Sequence, residues 1–163
     1  MTAGNKSTYC TMAVPDSSFP FRATPHASRE NNKEWAVEPI AIVTVVVLVQ
    51  YMVLGYHVSR ARIKCGVLAP AISGHPDFER TFRIHQNTLE QLVLFIPALW
   101  MFGIYVHPST GAVIGLLFPT GREVYRRSYI ADPSSRMAGA ALGGGAIVVL
   151  LLGALIGALL SWM

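Results

Sequence analysis

The sequence predicts an all-α integral membrane protein, a bundle of four transmembrane helices running up-down-up-down, and three observations carry that prediction. Of the 163 residues, 52% are hydrophobic and only 13% are charged, against about 25% charged in soluble domains. Long runs lack any charged residue: Pro39 to His57, Gln91 to Gly121 and Met137 to Met163. Nine of the thirteen basic residues (Arg60, Arg62, Lys64, Arg80, Arg83, Arg122, Arg126, Arg127 and Arg136) flank two of the connections between these runs, and the remaining connection has none.

Residues 1–36 are rich in Ser, Thr, Asn and Pro and lack a continuous apolar stretch. They read as a flexible polar tail, neither a secretory signal nor a span. A four-helix domain is expected over 37–163. Because a spanning helix needs about 20 apolar residues, the first run gives one helix, about 37–59. Glu38-Pro39 opens it, with Pro suited to the first turn and Glu to the positive dipole end. Its valines are poor helix formers in water, but in lipid only helices and closed barrels satisfy the backbone. A loop with Gly66, Pro70, Gly74 and Pro76 follows.

The middle run is long enough for two spans and is broken by His107-Pro108-Ser109-Thr110-Gly111, a turn composition. This gives helices over about 77–106 and 109–130. Pro97 and Pro119 should kink them, each removing one backbone donor. The loop Ala131-Asp132-Pro133-Ser134-Ser135 leads to the last helix, about 134–162. Gly111-x-x-x-Gly115, Gly139-x-x-x-Gly143 and Gly153-x-x-x-Gly157 read as close helix packing.

By the positive-inside rule, the first-to-second and third-to-fourth loops are cytoplasmic and both termini lie opposite. Cys10 and Cys65 then face different sides, and no disulfide is expected. The formal charge of +4 sits at helix ends and implies no nucleic-acid partner. His57, His75, His85 and His107 are scattered over different loops and ends, so no metal site is expected. The sequence contains no Walker loop, dinucleotide fingerprint or serine-nucleophile elbow.

One polar seam interrupts the apolar pattern. Arg80, Arg83, Asn87 and Glu90 recur at intervals of three and four and share one helix face. Glu90 lies about 15 Å along the axis from Arg80, deep enough that a charge facing lipid would cost several kcal/mol. The seam must therefore face protein, water or a ligand. The same spacing stacks Arg122, Tyr125 and Tyr129 on the third helix, and Arg136 opens the fourth. The topology brings these to one level with Arg62 and His85, forming a cationic cleft with one buried carboxylate. Arginine forks bind carboxylates bidentately, so a small anionic ligand with an ammonium group for Glu90 suits the cleft. The minimal alternative is an internal Glu–Arg pair in a purely structural membrane protein.

The run from Phe78-Glu79-Arg80 through Arg83-Ile84-His85-Gln86-Asn87-Thr88-Leu89-Glu90, then Gly121-Arg122-x-x-Tyr125-x-x-x-Tyr129 and Pro133-x-x-Arg136, closely resembles the MAPEG family, the membrane-associated proteins in eicosanoid and glutathione metabolism. The resemblance covers about residues 37–162, and the pattern looks nearest to the third microsomal glutathione transferase and its bacterial relatives. It implies a homotrimer binding glutathione between neighbouring subunits, with no metal. Carried over by position, Arg83, Asn87, Glu90, Arg122, Tyr125 and Tyr129 resemble glutathione contacts, as do Arg62 and His85. Arg136 resembles the arginine facing the glutathione sulfur, and a guanidinium there would stabilise the thiolate, which is the reactive nucleophile.

Several eicosanoid-making relatives have tyrosine directly after the glutamate, where this chain has Gln91. That departure argues against a specialised leukotriene synthase. The expectation is a membrane glutathione transferase or peroxidase acting on an apolar or lipid-like second substrate. Membrane lipids are its surroundings: a bacterial inner membrane by preference, or an endoplasmic-reticulum-type membrane in a eukaryote. A non-catalytic lipid-binding scaffold of the same family is the alternative.

Overall fold

The structure, a computed structural model, describes residues 37–163. The tail expected over residues 1–36 lies outside the described residues, and so does Cys10. Cys65 is a free thiol. All regular structure among the described residues is helical.

Helix α1 spans Glu38–Lys64, five residues beyond the expected end. Arg62 and Lys64 occupy its last turn, where cations complement the negative end of the dipole. Gly66 is the stop signal, at a φ of 65°. Its N–H donates to the Ile63 carbonyl at 3.3 Å and the Val67 N–H to the Arg62 carbonyl at 3.1 Å, the paired bonds of a Schellman cap.

Helix α2 spans Pro76–Tyr105, one residue ahead of expectation at each end. His75 caps it, its Nδ1 accepting from the Asp77 N–H at 3.2 Å. The helix continues through Pro97. The single helix expected over 109–130 is two pieces, α3 (Pro108–Gly115) and α4 (Leu117–Ala131), divided at Leu116, and neither is among the three helices of the described residues that are long and apolar enough to cross a membrane. Pro119 supplies the reason: it has no N–H to offer the Gly115 carbonyl. Gln50 of α1 braces the break, its Nε2 donating to the Pro119 carbonyl at 2.9 Å. A 3-10 turn, Pro133–Arg136, then feeds α5, Met137–Trp162. Glu38–Lys64, Pro76–Tyr105 and Ser134–Trp162 are each long and apolar enough to cross a membrane.

Contacts between elements fix their directions. Trp100 Nε1 donates to Thr44 Oγ1 at 3.1 Å, and the Tyr51 and His85 rings stack at 4.4 Å. Helix α1 therefore runs antiparallel to α2. Phe118 stacks on Phe95 at 4.2 Å while Tyr125 meets Asn87, so α4 also opposes α2. The core gathers Val43, Val47, Leu92, Phe95, Leu99, Phe118 and Leu150. Lipid tails are as apolar as leucine, so this core is held by close packing more than by escape from solvent.

The glycine spacings do what their pattern predicted. A Cβ on Gly121 would fall 2.6 Å from the backbone N of Gly143, and one on Gly139 would overlap the backbone of Tyr125. Helices α4 and α5 thus touch backbone to backbone. That contact sets the depth at which Arg122 and Tyr125 enter the bundle.

Candidate functional site

The seam of α2 faces α4. Asn87 Nδ2 donates to Tyr125 Oη at 2.7 Å, joining the two helices at the level of the polar residues. Tyr125 in turn lies 5.5 Å from Tyr129, ring centroid to centroid. The Arg136 guanidinium sits 5.8 Å from the Tyr129 ring, so the turn after α4 brings Arg136 back over its own preceding helix. Asp132 caps that turn, accepting from the backbone N–H and hydroxyl of Ser134. The Ser134 bonds are the main reason its carboxyl is held below the ordinary carboxylate range.

Arg122 is the most unusual residue of the site. It is 2% exposed, with its guanidinium 4.5 Å from the Tyr125 ring and 5.8 Å from the Phe118 ring. Aromatic faces attract a cation, but they do not satisfy its N–H groups. Nε and Nη2 are buried without a hydrogen-bond partner. Gln91 Oε1 is in the same condition and lies on the same side, for a Cβ on Gly143 would sit 3.4 Å from Arg122 Nε and 3.7 Å from Gln91 Oε1. A buried donor left unsatisfied costs about 1–3 kcal/mol, more when charged. Folding alone does not explain keeping this arrangement.

These groups line one cavity. Asn87, Glu90, Gln91, Arg122, Tyr125 and Arg136 surround a space of about 320 Å³. Glu90 also borders a larger cleft of about 780 Å³, lined among others by Arg80, Arg83, Gln86 and Tyr129. The two cavities share Glu90, which is exposed in this chain, whereas the sequence predicts a buried carboxylate. Among the described residues no cation lies within 4 Å of the Glu90 carboxylate. The internal Glu–Arg pair considered as a minimal explanation is therefore not formed at that residue.

Two of the candidate residues stand apart. Arg62 donates to the carbonyl of Ala71 at 2.8 Å and lies 4.6 Å over the Phe78 ring, holding the loop that follows α1. His85 faces α1, stacked on Tyr51 and close to Gly55. Neither lines the two cavities. Glu123, unassigned from the sequence, forks onto Arg126 at 2.7 and 2.9 Å and also accepts from Arg127 at 2.7 Å. Gln91 and Gln86 are among the lining residues that sequence reasoning left out of the site, with Ser73 and Glu79. The signal was available for Gln91, since it stands four residues after Asn87 and one helical turn deeper on the same side. Among the described residues, no group of three or more His, Cys, Asp or Glu could hold a metal ion.

The sequence is similar to several known proteins. An uncharacterized protein of Synechocystis is 43% identical over 116 residues, covering 71% of this chain and 85% of its own. Human microsomal glutathione S-transferase 2 is 37% identical over 117 residues, 71% of this chain and 80% of its own. Mouse leukotriene C4 synthase is 33% identical over 103 residues, 61% of this chain and 69% of its own. The MAPEG family profile matches residues 40–156, and the chain belongs to the MAPEG family of membrane proteins.

Proposed function

We propose that this protein is a membrane-bound glutathione transferase, with peroxide reduction as a second outlet of the same chemistry. The observation that carries the reading is Arg122: a buried guanidinium with two unsatisfied N–H groups bordering a cavity shared with Glu90 and Arg136. Glutathione has what those groups lack. It carries two carboxylates for guanidinium donors, an ammonium for Glu90, and a thiol.

In this reading, Arg83 and Arg122 hold the carboxylates, Glu90 takes the ammonium, and Asn87, Tyr125 and Tyr129 fix the peptide between them. Arg62 and His85 lie away from these cavities within one chain, and they serve the site through a neighbouring subunit of a homotrimer. Arg136 stabilises the thiolate. A thiol has a pKa of about 8.5, and lowering it by two units needs about 2.7 kcal/mol of differential stabilisation. One close, partly desolvated charge is of that order.

The thiol proton leaves to solvent, and the sulfur lone pair attacks the electrophile. In conjugation, an S–C bond forms and the leaving group departs with its electron pair. In peroxide reduction, the sulfur takes the terminal oxygen of the hydroperoxide and the alcohol is released. A second glutathione then displaces water from the sulfenic acid, giving the disulfide. The second substrate is apolar and arrives through the bilayer.

Turnover of a chloronitrobenzene and of a lipid hydroperoxide by the purified protein, measured side by side with glutathione, tests the assignment. Product above the uncatalysed rate with either substrate supports it. Bound glutathione with no turnover of either would favour a lipid-binding scaffold.

A further inference from the structure

A second groove lies on a different side of the bundle. Its deep part is a slot of about 200 Å³ lined by Leu54, His57, Ala61, Thr81, Ile84, Arg126 and Ile130. Its mouth is a space of about 330 Å³ bordered by Lys64, Cys65, Asp77 and Arg80. Ala61, Thr81 and Ile130 line both, so the two adjoin along one channel-like groove between α1, α2 and the end of α4.

The polar side chains of the deep part are engaged elsewhere through most of their groups. Thr81 Oγ1 donates to the Asp77 carbonyl at 2.9 Å, and His57 Nδ1 lies 2.8 Å from the Val53 carbonyl. Arg126 is held by its fork onto Glu123, a carboxylate it shares with Arg127. What remains there is hydrocarbon surface from Leu54, Ile84 and Ile130. The mouth is different. Among the described residues neither Lys64 nor Arg80 has a carboxylate within 4 Å, and the carboxylate at the mouth, Asp77, lies 4.0 Å from His75. Asp132 is a further carboxylate that feels the charge of Arg80.

From Leu54 to Lys64 the channel follows ten residues of α1, about 15 Å. That is half of the ~30 Å hydrocarbon thickness of a bilayer, or one leaflet. An apolar slot one leaflet deep, opening on two cations at the ends of spanning helices, matches an acyl chain with a negative headgroup. We propose that this groove holds one anionic phospholipid, with an acyl chain along Leu54, Ile84 and Ile130 and its phosphate on Lys64 and Arg80. The groove shares Arg80 with the larger cleft, but none of its other lining residues borders either cavity of the candidate glutathione site, and the proposal does not depend on that reading.

The test is native mass spectrometry of the full chain in a neutral detergent, titrated separately with phosphatidylglycerol, phosphatidylcholine and oleate. One phosphatidylglycerol per protomer should be retained, with phosphatidylcholine and oleate bound more weakly. The K64Q/R80Q double variant should retain phosphatidylglycerol roughly thirtyfold less well, each basic group near a membrane surface contributing about a factor of five. Ala61→Phe should block the channel with both cations in place, and Ile130→Glu should repel the chain without filling the space. Circular dichroism establishes that each variant is folded. Equal retention of phosphatidylglycerol and phosphatidylcholine overturns the proposal, as does preferred retention of oleate. Unchanged retention in the folded variants overturns it too.

Discussion

Asn87 and Tyr125 are joined by a 2.7 Å hydrogen bond that crosses from α2 to α4, with the amide donating to the phenol oxygen. It is the direct link between the polar seam of one span and the aromatic stack of the next. Tyr125 is 4% exposed, so its replacement by Phe leaves the Asn87 amide without that acceptor. We expect Tyr125→Phe to destabilise the protein by about 1 kcal/mol. A double-mutant cycle with Asn87→Ala should return a coupling of about 0.5–1.5 kcal/mol. Strict additivity of the two substitutions would mean that the bond contributes nothing.

Arg122 separates stability from function. Its burial with two unsatisfied N–H groups makes it a liability to the ligand-free fold. Arg122→Met keeps the volume and removes the charge, and it should raise thermal stability by the equivalent of about 1 kcal/mol or more. The same substitution should weaken glutathione binding by about 2–5 kcal/mol, the usual loss when one partner of a desolvated charge pair is removed. Calorimetric melting and binding of one preparation report both quantities. A variant that is both less stable and unaltered in binding contradicts this account of Arg122.

Gly139 tests how the bundle positions the site. Its Cα faces the backbone of Tyr125 with no room for a side chain. Gly139→Leu must separate α4 from α5, moving Tyr125 and Arg136 relative to α2. Overpacking of this kind costs about 1–3 kcal/mol, and glutathione binding should fall with it. Gly145, beside which a Cβ would meet only open space, is the control, and Gly145→Ala should be silent in both measurements.

Asp132 gives the turn before Arg136 a defined pH dependence. Its carboxyl is held below the ordinary value of 3.8, chiefly by the hydroxyl and backbone bonds from Ser134. A depressed folded-state pKa means that the stabilisation is complete above about 3.8 and is lost as the pH falls through the lower, folded value. Wild type should therefore melt above Asp132→Ala at pH 6, and the two curves should converge as the pH drops below that window. A gap that stays constant from pH 6 to pH 3 would show that the carboxylate caps nothing.

Much of this architecture was legible in the sequence because the bilayer restricts what an apolar run can do. The ends of α2 fell within one residue of expectation because Pro76 and the His107-Pro108 turn punctuate the chain sharply. The end of α1 was less legible: Arg60 marks where charge begins, whereas the helix stops at the Gly66 cap. The division at Leu116 follows from Pro119, but an equivalent proline at 97 leaves α2 continuous. Local sequence does not distinguish the two. The spacing of Asn87, Glu90, Arg122 and Tyr125 revealed their shared level, since helical periodicity survives in any packing. It did not reveal that Arg122 would be buried unsatisfied, or that Arg62 and His85 would turn toward α1 and its loop. Those outcomes depend on how helices rotate against one another, which the backbone contact of Gly121 and Gly139 helps to set.

Arg136 is proposed to hold the sulfur of bound glutathione as a thiolate, and ultraviolet difference absorbance of that thiolate across pH reads the effect. The wild-type protein should give a bound-thiol pKa well below about 8.5. In Arg136→Ala, glutathione should still bind while its pKa returns toward that value and turnover is lost. Equal thiol pKa values in the two proteins, with glutathione shown by calorimetry to be bound to both, would contradict it.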